Sequence, residues 1–419
     1  MVAHHFFNEE ARKGLCPPYM TKLNRQCFGK AVFREMIFFG KLMITQLSLK
    51  NFKSHQSTRL SLSNLNILAG MNGTGKSSVF QALLLLRQSY LKNNLLAKGI
   101  DLNGLLCDIG VAKDAIYQYA THSLIELTLK TAHQKNYQWQ FEYQEPTATF
   151  MRLLNPPESF DDLSLFGNDF QYLSAARLAP QKSYLKDTYQ VEVLRQISYQ
   201  KGLGEFVAHF LHYYAHEKMA FPNLKHPHCD SEELLDQTTV WLREMMPHVE
   251  VIVSENRSLN AFEIRYQFNS THAGIVPTNE FKAENVGFGL SYVLPIIVII
   301  LSAKPGSLIM IENPEAHLHP KAQSKLIELM ALAAQNGVQI LVETHSDHII
   351  NGTLVAVKRD ETHQGIAHNK VKIHYFHRSD SNHTTEVSNL PVLEGGQIKN
   401  PPTGFFDQIE TDLETLMGF

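Results

Sequence analysis

The stretch Gly70-Met-Asn-Gly-Thr-Gly-Lys-Ser77 decides the fold of this chain, because its glycine spacing is typical of a phosphate-binding loop. Glycines let the backbone N–H groups of such a loop turn inward and surround phosphate oxygens. The lysine reaches the β- and γ-phosphates of a nucleotide, and the serine hydroxyl is a ligand for Mg²⁺. The sequence therefore predicts a site for ATP and Mg²⁺ formed by Gly70, Asn72, Gly73, Thr74, Gly75, Lys76, Ser77 and Ser78.

The segments on either side of this glycine loop have the periodicities that the loop requires. Polar and apolar residues alternate over 44–49 and again over 59–65, as in half-buried strands. Residues 66–69 then lead into the loop, and 77–90 have the periodicity of a helix. The order strand, loop, helix directs the positive end of the helix at the bound phosphate.

A further predicted strand ends in acidic residues. Residues 307–311 are apolar and run into Glu312, Asn313, Pro314 and Glu315. A carboxylate at this place holds Mg²⁺ beside the loop serine, so Glu312 is predicted as a metal ligand together with Ser77. Glu315 is predicted to polarise the water that attacks the γ-phosphate.

Another short apolar run, 338–343, precedes His345. Such runs are typical of strands buried on both faces of a parallel sheet. A histidine at the tip of such a strand is placed to contact the γ-phosphate and to report its presence. The predicted catalytic residues are therefore Glu312, Glu315 and His345.

Two glycines and a serine, Gly287, Gly289 and Ser291, precede a long apolar run. The N-terminus of a helix here suits phosphate, but a plain helix start in the core explains the residues equally well. The apolar run 286–301 is shorter than the roughly 20 residues that a membrane helix needs. It therefore predicts a buried helix.

Length and composition narrow the class of protein. A chain of 419 residues is expected to form two or three structural units. Hydrophobic residues make up 44% and charged residues 19%, and the net charge of −3 gives no strong positive field for nucleic acid. The four cysteines form no CxxC pair, which fits a reducing cytoplasm.

Four segments are expected along the chain. They are a leader at 1–42, disordered or an artefact of the start site, an N-terminal ATPase lobe at 43–143, an insertion with a helical lid at 144–260, and a C-terminal ATPase lobe at 261–419. Residues 125–130 and 137–143 predict a hairpin. Within the insertion, 144–170 predict a loop and 189–246 have helical periodicity.

Several motifs occur in the order found in ABC-type ATPase heads. After the glycine loop come Gly-Phe-Gly-Leu-Ser at 287–291, Glu-Asn-Pro-Glu-Ala-His-Leu-His-Pro at 312–320 and Glu-Thr-His-Ser-Asp-His at 343–348. Residues 43–419 resemble these heads, which include RecF, SMC proteins and the overcoming-lysogenisation-defect family. The segment 172–177 and the tail at 396–408 are similar to motifs of small bacterial stand-alone AAA-family ATPases with a C-terminal domain of unknown function.

The resemblance implies an α/β fold, a P-loop NTPase of the ABC ATPase-head type with an antiparallel β subdomain and an inserted helical lid. It also implies a homodimer in which ATP lies between the glycine loop of one subunit and the signature helix of the other. Gly289 and Ser291 would then contact the partner's γ-phosphate. His345 matches the family's switch histidine, residues 317–320 match a loop that crosses the interface, and Gln118 lies at the expected distance for the glutamine sensor.

Asn313 departs from the family pattern. Many ABC heads have a glutamate there as general base, and an amide cannot accept a proton. Glu315 is the remaining candidate, and hydrolysis is expected to be slow.

The expected function is an ATP-driven switch that controls a separate effector protein, a nuclease or another kind, in bacterial anti-phage defence or DNA transactions. Nucleic acid stays open as a further ligand, and no membrane is involved. One alternative is an ATPase-nuclease, for which the roughly 70 residues after His345 leave little room. The other is an ATP-gated scaffold that does not hydrolyse ATP, which Asn313 favours.

Overall fold

A central six-stranded sheet carries the glycine loop in the computed structural model, which describes residues 41–157, 159–270, 276–379, 382–402, 405–406 and 408–418. With strands numbered along the chain, the spatial order is β16 (Thr385–Leu390), β15 (Val371–Arg378), β3 (Leu65–Gly70), β14 (Gln339–Thr344), β13 (Leu308–Glu312) and β8 (Phe170–Leu173). All neighbours are parallel except β16, which pairs antiparallel with β15. The predicted buried parallel strands at 307–311 and 338–343 are thereby confirmed.

Helices cover both faces of this sheet. They are α1 (Lys76–Leu91) on one face, and α5 (Phe288–Leu301), α6 (Pro320–Gln335) and α7 (Asp347–Lys358) on the other. Side chains alternate along β13, so Ile309 and Ile311 pack towards α5 to α7, whereas Leu308 and Met310 pack with α1. Glu312 continues the second row and therefore faces the start of α1. The buried helix predicted at 286–301 is confirmed as α5.

A second, antiparallel sheet packs against α1. Its spatial order is β2 (His55–Ser61), β1 (Ile44–Phe52), β5 (Leu124–Thr131), β6 (Asn136–Glu142), β7 (Phe150–Leu153) and β4 (Gly99–Asp101). This is the antiparallel β subdomain that the resemblance implied, and the predicted hairpin is β5 and β6. Helix α2 (Ala112–Ala115) lies in the connection from β4 to β5.

The prediction that 144–170 is loop throughout is wrong. β7 lies inside this segment, and a 3₁₀ turn, Ser164–Phe166, follows. Only four residues of β7 are in the strand, and their alternation is too short to stand out from the surrounding prolines and acids.

Residues 189–246 contain less regular helix than their periodicity predicted. They hold a π-helical turn (Tyr189–Val193), α3 (Val207–Tyr213) and α4 (Leu234–Arg243). A third sheet follows, in which β11 (Ala261–Phe268) pairs with β10 (Val249–Asn256), β12 (Phe281–Lys282) and β9 (Tyr184–Leu185). β8 lies within the expected insertion but belongs to the central sheet, and β10 pairs with β11 across residue 260. The expected boundaries at 144 and 260 therefore separate strands that share a sheet.

The chain after α7 completes the central sheet with β15 and β16. It ends with a small pair, β17 (Val392–Leu393) and β18 (Gln397–Ile398), and with α8 (Gln408–Met417). Of the expected leader, residues 1–40 lie outside the described residues, whereas Leu42 forms a β-bridge with Leu163. Gly404 and Asp407 of the tail motif also lie outside the described residues. In the described ranges, no helix is long and apolar enough to cross a membrane.

Candidate functional site

A cavity of about 430 Å³ opens where the glycine loop meets the carboxyl ends of β13 and β14. Sites at this edge are typical of parallel α/β sheets. The cavity brings together most of the predicted site residues, namely Asn72, Gly73, Thr74, Gly75, Lys76, Ser77, Ser78, Glu312 and His345. Its other lining residues are Lys53, Ser54, Gln81, Ala175, Asn313 and Glu343.

Two glycines of the loop are required by their surroundings. Gly70 has a φ of +141°, and a Cβ there would lie 2.2 Å from the carbonyl oxygen of Phe376 on β15. Gly75 has a φ of +100°, and a Cβ there would lie 2.3 Å from the Thr385 hydroxyl. No side chain fits either position, so the loop lies directly against β15 and β16.

The Lys76 ammonium is buried at the centre of the loop. Its Nζ donates hydrogen bonds to the carbonyl oxygens of Gly70 at 2.9 Å and Met71 at 2.7 Å. Burial lowers the pKa of Lys76, while Glu343 and Glu315 act in the opposite direction. The loop thus holds its cation in place before any phosphate is present.

The carboxylates near Ser77 are arranged differently from the prediction. The Ser77 hydroxyl donates to Glu343 Oε1 at 2.7 Å, not to Glu312. Both oxygens of Glu312 accept hydrogen bonds from the protein: Oε1 from the Tyr172 hydroxyl at 2.9 Å and Oε2 from the Ala175 N–H at 3.0 Å. Glu343 begins the motif at 343–348, but the sequence analysis did not predict it as a site residue.

Three acceptor oxygens at the site are buried without a donor among the described residues. They are Oε2 of Glu343, Oε2 of Glu315 and Oδ1 of Asn313. A buried acceptor left unsatisfied is costly, and oxygen ligands of this kind suit Mg²⁺. The donor set therefore fits the predicted cation. Burial, together with the negative charge of Glu312, raises the pKa of Glu343 to about 7, although the Ser77 hydrogen bond opposes the rise.

Glu315 contacts His345, the predicted switch histidine. Its Oε1 accepts a hydrogen bond from the backbone N–H of His345 at 2.9 Å. The His345 side chain is exposed at the edge of the cavity, and partial burial followed by the charge of Lys76 lowers its pKa. The structure therefore places the Glu315 side chain beside the His345 backbone, although Glu315 itself does not line the cavity, and the roles of both residues stay predictions.

Arg177 holds the turn that carries the acidic residues. This side chain is 2% exposed, and its guanidinium donates to the carbonyl oxygens of Ser174, Glu312 and Asn313 at 2.6–2.8 Å. Asn313 itself has a φ of 43°, a left-handed conformation that asparagine tolerates better than most residues. The segment 172–177, noted in the sequence only as a subfamily motif, therefore fixes both Glu312 and the turn after it.

The predicted signature residues lie outside this cavity. Gly287 is the N-cap of α5, and Phe288, the first residue of the helix, is 55% exposed. Ser291, one turn into the helix, is only 7% exposed, and its contact with a nucleotide of another subunit stays a prediction. The exposed end of the helix is formed by Gly287 and Phe288 instead.

The glutamine in the cavity is Gln81 of α1, whose Oε1 accepts from Lys53 Nζ at 2.9 Å. Gln118, the expected sensor, is exposed and does not line the cavity. Gln118 was expected only from its distance along the sequence. The position of Gln81, on the helix directly after the loop, could have identified it as a residue of the cavity.

Three family descriptions match parts of the chain. Residues 43–134 match "AAA ATPase domain", residues 191–351 match "AAA domain, putative AbiEii toxin, Type IV TA system", and residues 366–416 match "Protein of unknown function (DUF3696)". The first match contains the glycine loop, and the second contains Glu312 and His345. The resemblance to AAA-type ATPases with a C-terminal domain of unknown function is thus confirmed. No curated protein gave a match.

Solved SMC heads are similar in fold. A crystal structure of the SmcHead bound to the C-winged helix domain of ScpA has a TM-score of 0.51 and 13% identity, over 83% of this chain and 98% of that one. An Smc head bound to the C-terminal domain of ScpA from Pyrococcus furiosus has a TM-score of 0.48, with 11% identity over 89% of this chain and 99% of that one. The SMC head of Thermotoga maritima has a TM-score of 0.42, with 12% identity over 84% and 100%. The first similarity confirms a P-loop fold of the ABC type.

Proposed function

We propose that this chain, with AAA-type ATPase segments in an ABC-type P-loop fold, is a switch that binds and hydrolyses ATP. In this proposal ATP binding drives homodimer formation, and the dimer controls a separate effector protein in bacterial anti-phage defence or DNA transactions. The family description over 191–351, which names a toxin of a type IV system, supports the defence setting.

One observation carries the ATP-binding part of the proposal. The Lys76 ammonium and the N-terminus of α1 supply positive charge on one side of the cavity. The unsatisfied oxygens of Glu343 and Asn313, which also line the cavity, are acceptors. A polyphosphate with a divalent cation complements both sets of groups, because the phosphates meet the loop and the cation meets the acceptors.

Each residue then has a separate task. Lys76 would exchange its loop carbonyls for the β- and γ-phosphates, and Ser77 would hold Mg²⁺, which neutralises charge on the transferred phosphoryl group. Glu315 is the proposed base for the attacking water, and its hydrogen bond to the His345 backbone links that base to the switch. Arg177 and Tyr172 keep the acidic turn in position.

The exposed N-terminus of α5 supports the proposed dimer. Gly287 and Phe288 are uncovered in the single chain, and an exposed aromatic ring beside a free helix N-terminus suits an interface that contains a nucleotide. The SmcHead structure is bound to a domain of ScpA. By analogy, we propose a separate protein partner for this chain.

A second candidate function, an ATP-gated clamp without turnover, is favoured by Asn313. If Glu315 cannot serve as the base, ATP would hold the dimer closed until it dissociates. Steady-state release of phosphate separates the two functions.

Lys76→Ala tests the shared premise. Removing a charge-assisted contact worth ~1.5–3 kcal/mol should weaken ATP binding by about tenfold or more. Titration calorimetry with ATP and Mg²⁺ measures it, and Lys113→Ala, which removes an exposed lysine of α2, is the matched control. Equal affinities for ATP in the parent and Lys76→Ala would refute the assignment of the site.

A further inference from the structure

Two carboxylates stand next to each other at the ends of neighbouring parallel strands. In the register of β13 and β14, Glu312 lies opposite Glu343. Ile340 and Val342 pack towards α5 to α7, whereas Leu341 packs towards α1. Glu343 therefore faces α1, as Glu312 does, and both point at the start of the helix that carries Ser77.

These two carboxylates differ in what they can still bind. Both oxygens of Glu312 accept from protein donors, Tyr172 and Ala175. Glu343 is 5% exposed, its Oε1 touches the Ser77 hydroxyl, and its Oε2 has no donor within the part of the chain that the structure describes. Next to Ser77, Glu343 is therefore the carboxylate with an oxygen that can still bind a cation.

The local charge also calls for a cation. Glu312 and Glu343 line the cavity, and Glu315 lies close enough to act on Lys76. Two cations, Lys76 and Lys53, line the same cavity, and Lys53 donates to Gln81. The Arg177 guanidinium is directed to backbone carbonyls. Buried carboxylates in excess of their partners are stabilised by a divalent metal ion. The amide oxygen of Asn313, also unsatisfied, is a neutral ligand of the kind that Mg²⁺ accepts.

We propose that Glu343 is a direct ligand of Mg²⁺, together with Ser77, and that the pair binds the ion even before ATP arrives. Glu343 thereby takes the place beside Ser77 that the sequence predicted for Glu312, while Glu315 stays the proposed base. Glu312 is held by hydrogen bonds from Tyr172 and Ala175, and we assign it a supporting role next to the metal site. The inference rests on the proposed function, because it assigns the metal of the ATP site.

Binding of Mn²⁺ to the full chain without nucleotide tests the proposal, because free and bound Mn²⁺ are distinguished by electron paramagnetic resonance. We expect the parent to bind one Mn²⁺ and Glu343→Gln to bind it about 10–100-fold more weakly. Ser77→Ala should also weaken binding, and Glu312→Gln should do so less than Glu343→Gln. Glu394→Gln, which removes a carboxylate that is 89% exposed, is the matched control and should bind as the parent does.

Three results would overturn the assignment: no Mn²⁺ bound by the parent, parental affinity in Glu343→Gln, or a larger loss in Glu312→Gln than in Glu343→Gln. Thermal unfolding in EDTA shows whether each variant is folded, and Ser77→Ala keeps the test decisive if Glu343→Gln is not. ATP affinity in EDTA separates this inference from the wider proposal. A parent that binds ATP while Glu343→Gln keeps its Mn²⁺ affinity contradicts only the metal ligand, whereas a parent that binds no ATP under any condition contradicts the function.

Discussion

Asn313 is the residue at which this site differs most from the ATPase heads that it resembles. Its backbone N–H donates to the Glu343 carbonyl at 2.8 Å, its carbonyl accepts from Arg177, and its φ is 43°. The conformation is imposed by contacts on both sides and suits asparagine. An amide at this place cannot take a proton, so the base that we propose is the nearby carboxylate of Glu315.

Glu315→Gln should keep ATP affinity and reduce hydrolysis by about 10²–10⁴-fold, because it removes the proposed base and leaves the Oε1 acceptor for His345. Pre-steady-state and steady-state phosphate release measure the rate. Asn313→Glu should raise turnover by restoring an acid, although a left-handed glutamate costs roughly 1 kcal/mol of stability. Parental hydrolysis in Glu315→Gln, with no change in Asn313→Glu, would show that the base has been placed wrongly.

The sequence predicts individual site residues correctly where they belong to a short contiguous motif. Lys76 and Ser77 reach the cavity because the glycine loop and the helix after it are contiguous in the chain. Glu343 and Gln81 were missed because their roles depend on neighbours that are far away in sequence or one helical turn along. The burial of Ser291 was not predicted, because helix phase cannot be read from a short glycine-rich start.

Among the elements, the hairpin of β15 and β16 braces the glycine loop. The Thr385 hydroxyl donates to the Thr74 carbonyl at 2.8 Å and lies 2.7 Å from the Ser54 hydroxyl. His55 Nε2 contacts the Gly75 carbonyl at 3.0 Å. The C-terminal hairpin and the β1–β2 turn thus fix the loop from two sides, which explains why Gly75 has no room for a side chain.

Thr385→Val should leave the Thr74 carbonyl without its buried donor. We expect the free energy of unfolding to fall by about 1–3 kcal/mol and ATP to bind more weakly, since the loop loses a brace. Urea titration and calorimetry measure the two effects, with Thr362→Val, an exposed threonine beyond α7, as control. Unchanged ATP affinity in Thr385→Val would mean that the loop keeps its shape without the hairpin.

Two buried histidines in these elements should make stability depend on pH. Burial lowers the pKa of His55 and of His374 to about 4, and the Nε2 of His374 lies 2.9 Å from the Ser61 carbonyl. In the unfolded chain each titrates near 6.5, so between pH 6.5 and 4 the unfolded state binds more protons. The free energy of unfolding should therefore fall as the pH decreases through this window, by up to about 3 kcal/mol for each histidine.

His374→Gln removes one of these protonation sites and should make the loss of stability between pH 6.5 and 4 smaller. Urea unfolding at several pH values checks the slope against the parent, and His383→Gln, on an exposed turn, is the control. An identical slope in parent and His374→Gln would mean that other groups cause the pH dependence.

Strands and helices with a clear hydrophobic periodicity were predictable from the sequence, whereas strands of two to four residues were not. β13 and β14 contain short apolar runs and β5 and β6 alternate, so their patterns identify them. The strand predicted over 59–65 is wrong in its bounds, because β2 ends at Ser61 and β3 spans Leu65–Gly70. β7 and β8 have four residues each, and β9 and β12 have two. Such strands exist because a neighbouring strand supplies their hydrogen bonds, which periodicity does not reveal.

For the whole molecule, the proposed dimer places the N-terminus of α5 against a second glycine loop. Gly287→Arg is the suitable probe, because a Cβ at Gly287 meets nothing within 4 Å, whereas one at Gly289 would lie 2.7 Å from the His317 carbonyl. We expect the variant to stay monomeric with a non-hydrolysable ATP analogue while the parent becomes a dimer, as measured by light scattering. The single-chain affinity for ATP should change by less than about twofold, since the mutation lies outside the cavity.

Gln364→Arg adds the same charge at an exposed position after α7 and should still form the dimer. A parent whose mass does not depend on nucleotide, or a dimer in Gly287→Arg, would argue against an ATP-dependent interface at α5.

On the ribosome, β3 emerges long before either of its neighbours. It pairs with β14 and β15, which begin about 270 and 300 residues further along the chain. At roughly 5–20 residues per second, the nascent protein carries the glycine loop without its flanking strands for about 15–60 s. Gly70 meets the Phe376 carbonyl only after about 300 further residues have been translated. A transcript that is cut short before the codon of Phe376 therefore yields a polypeptide with an intact glycine motif and an incomplete cavity around it.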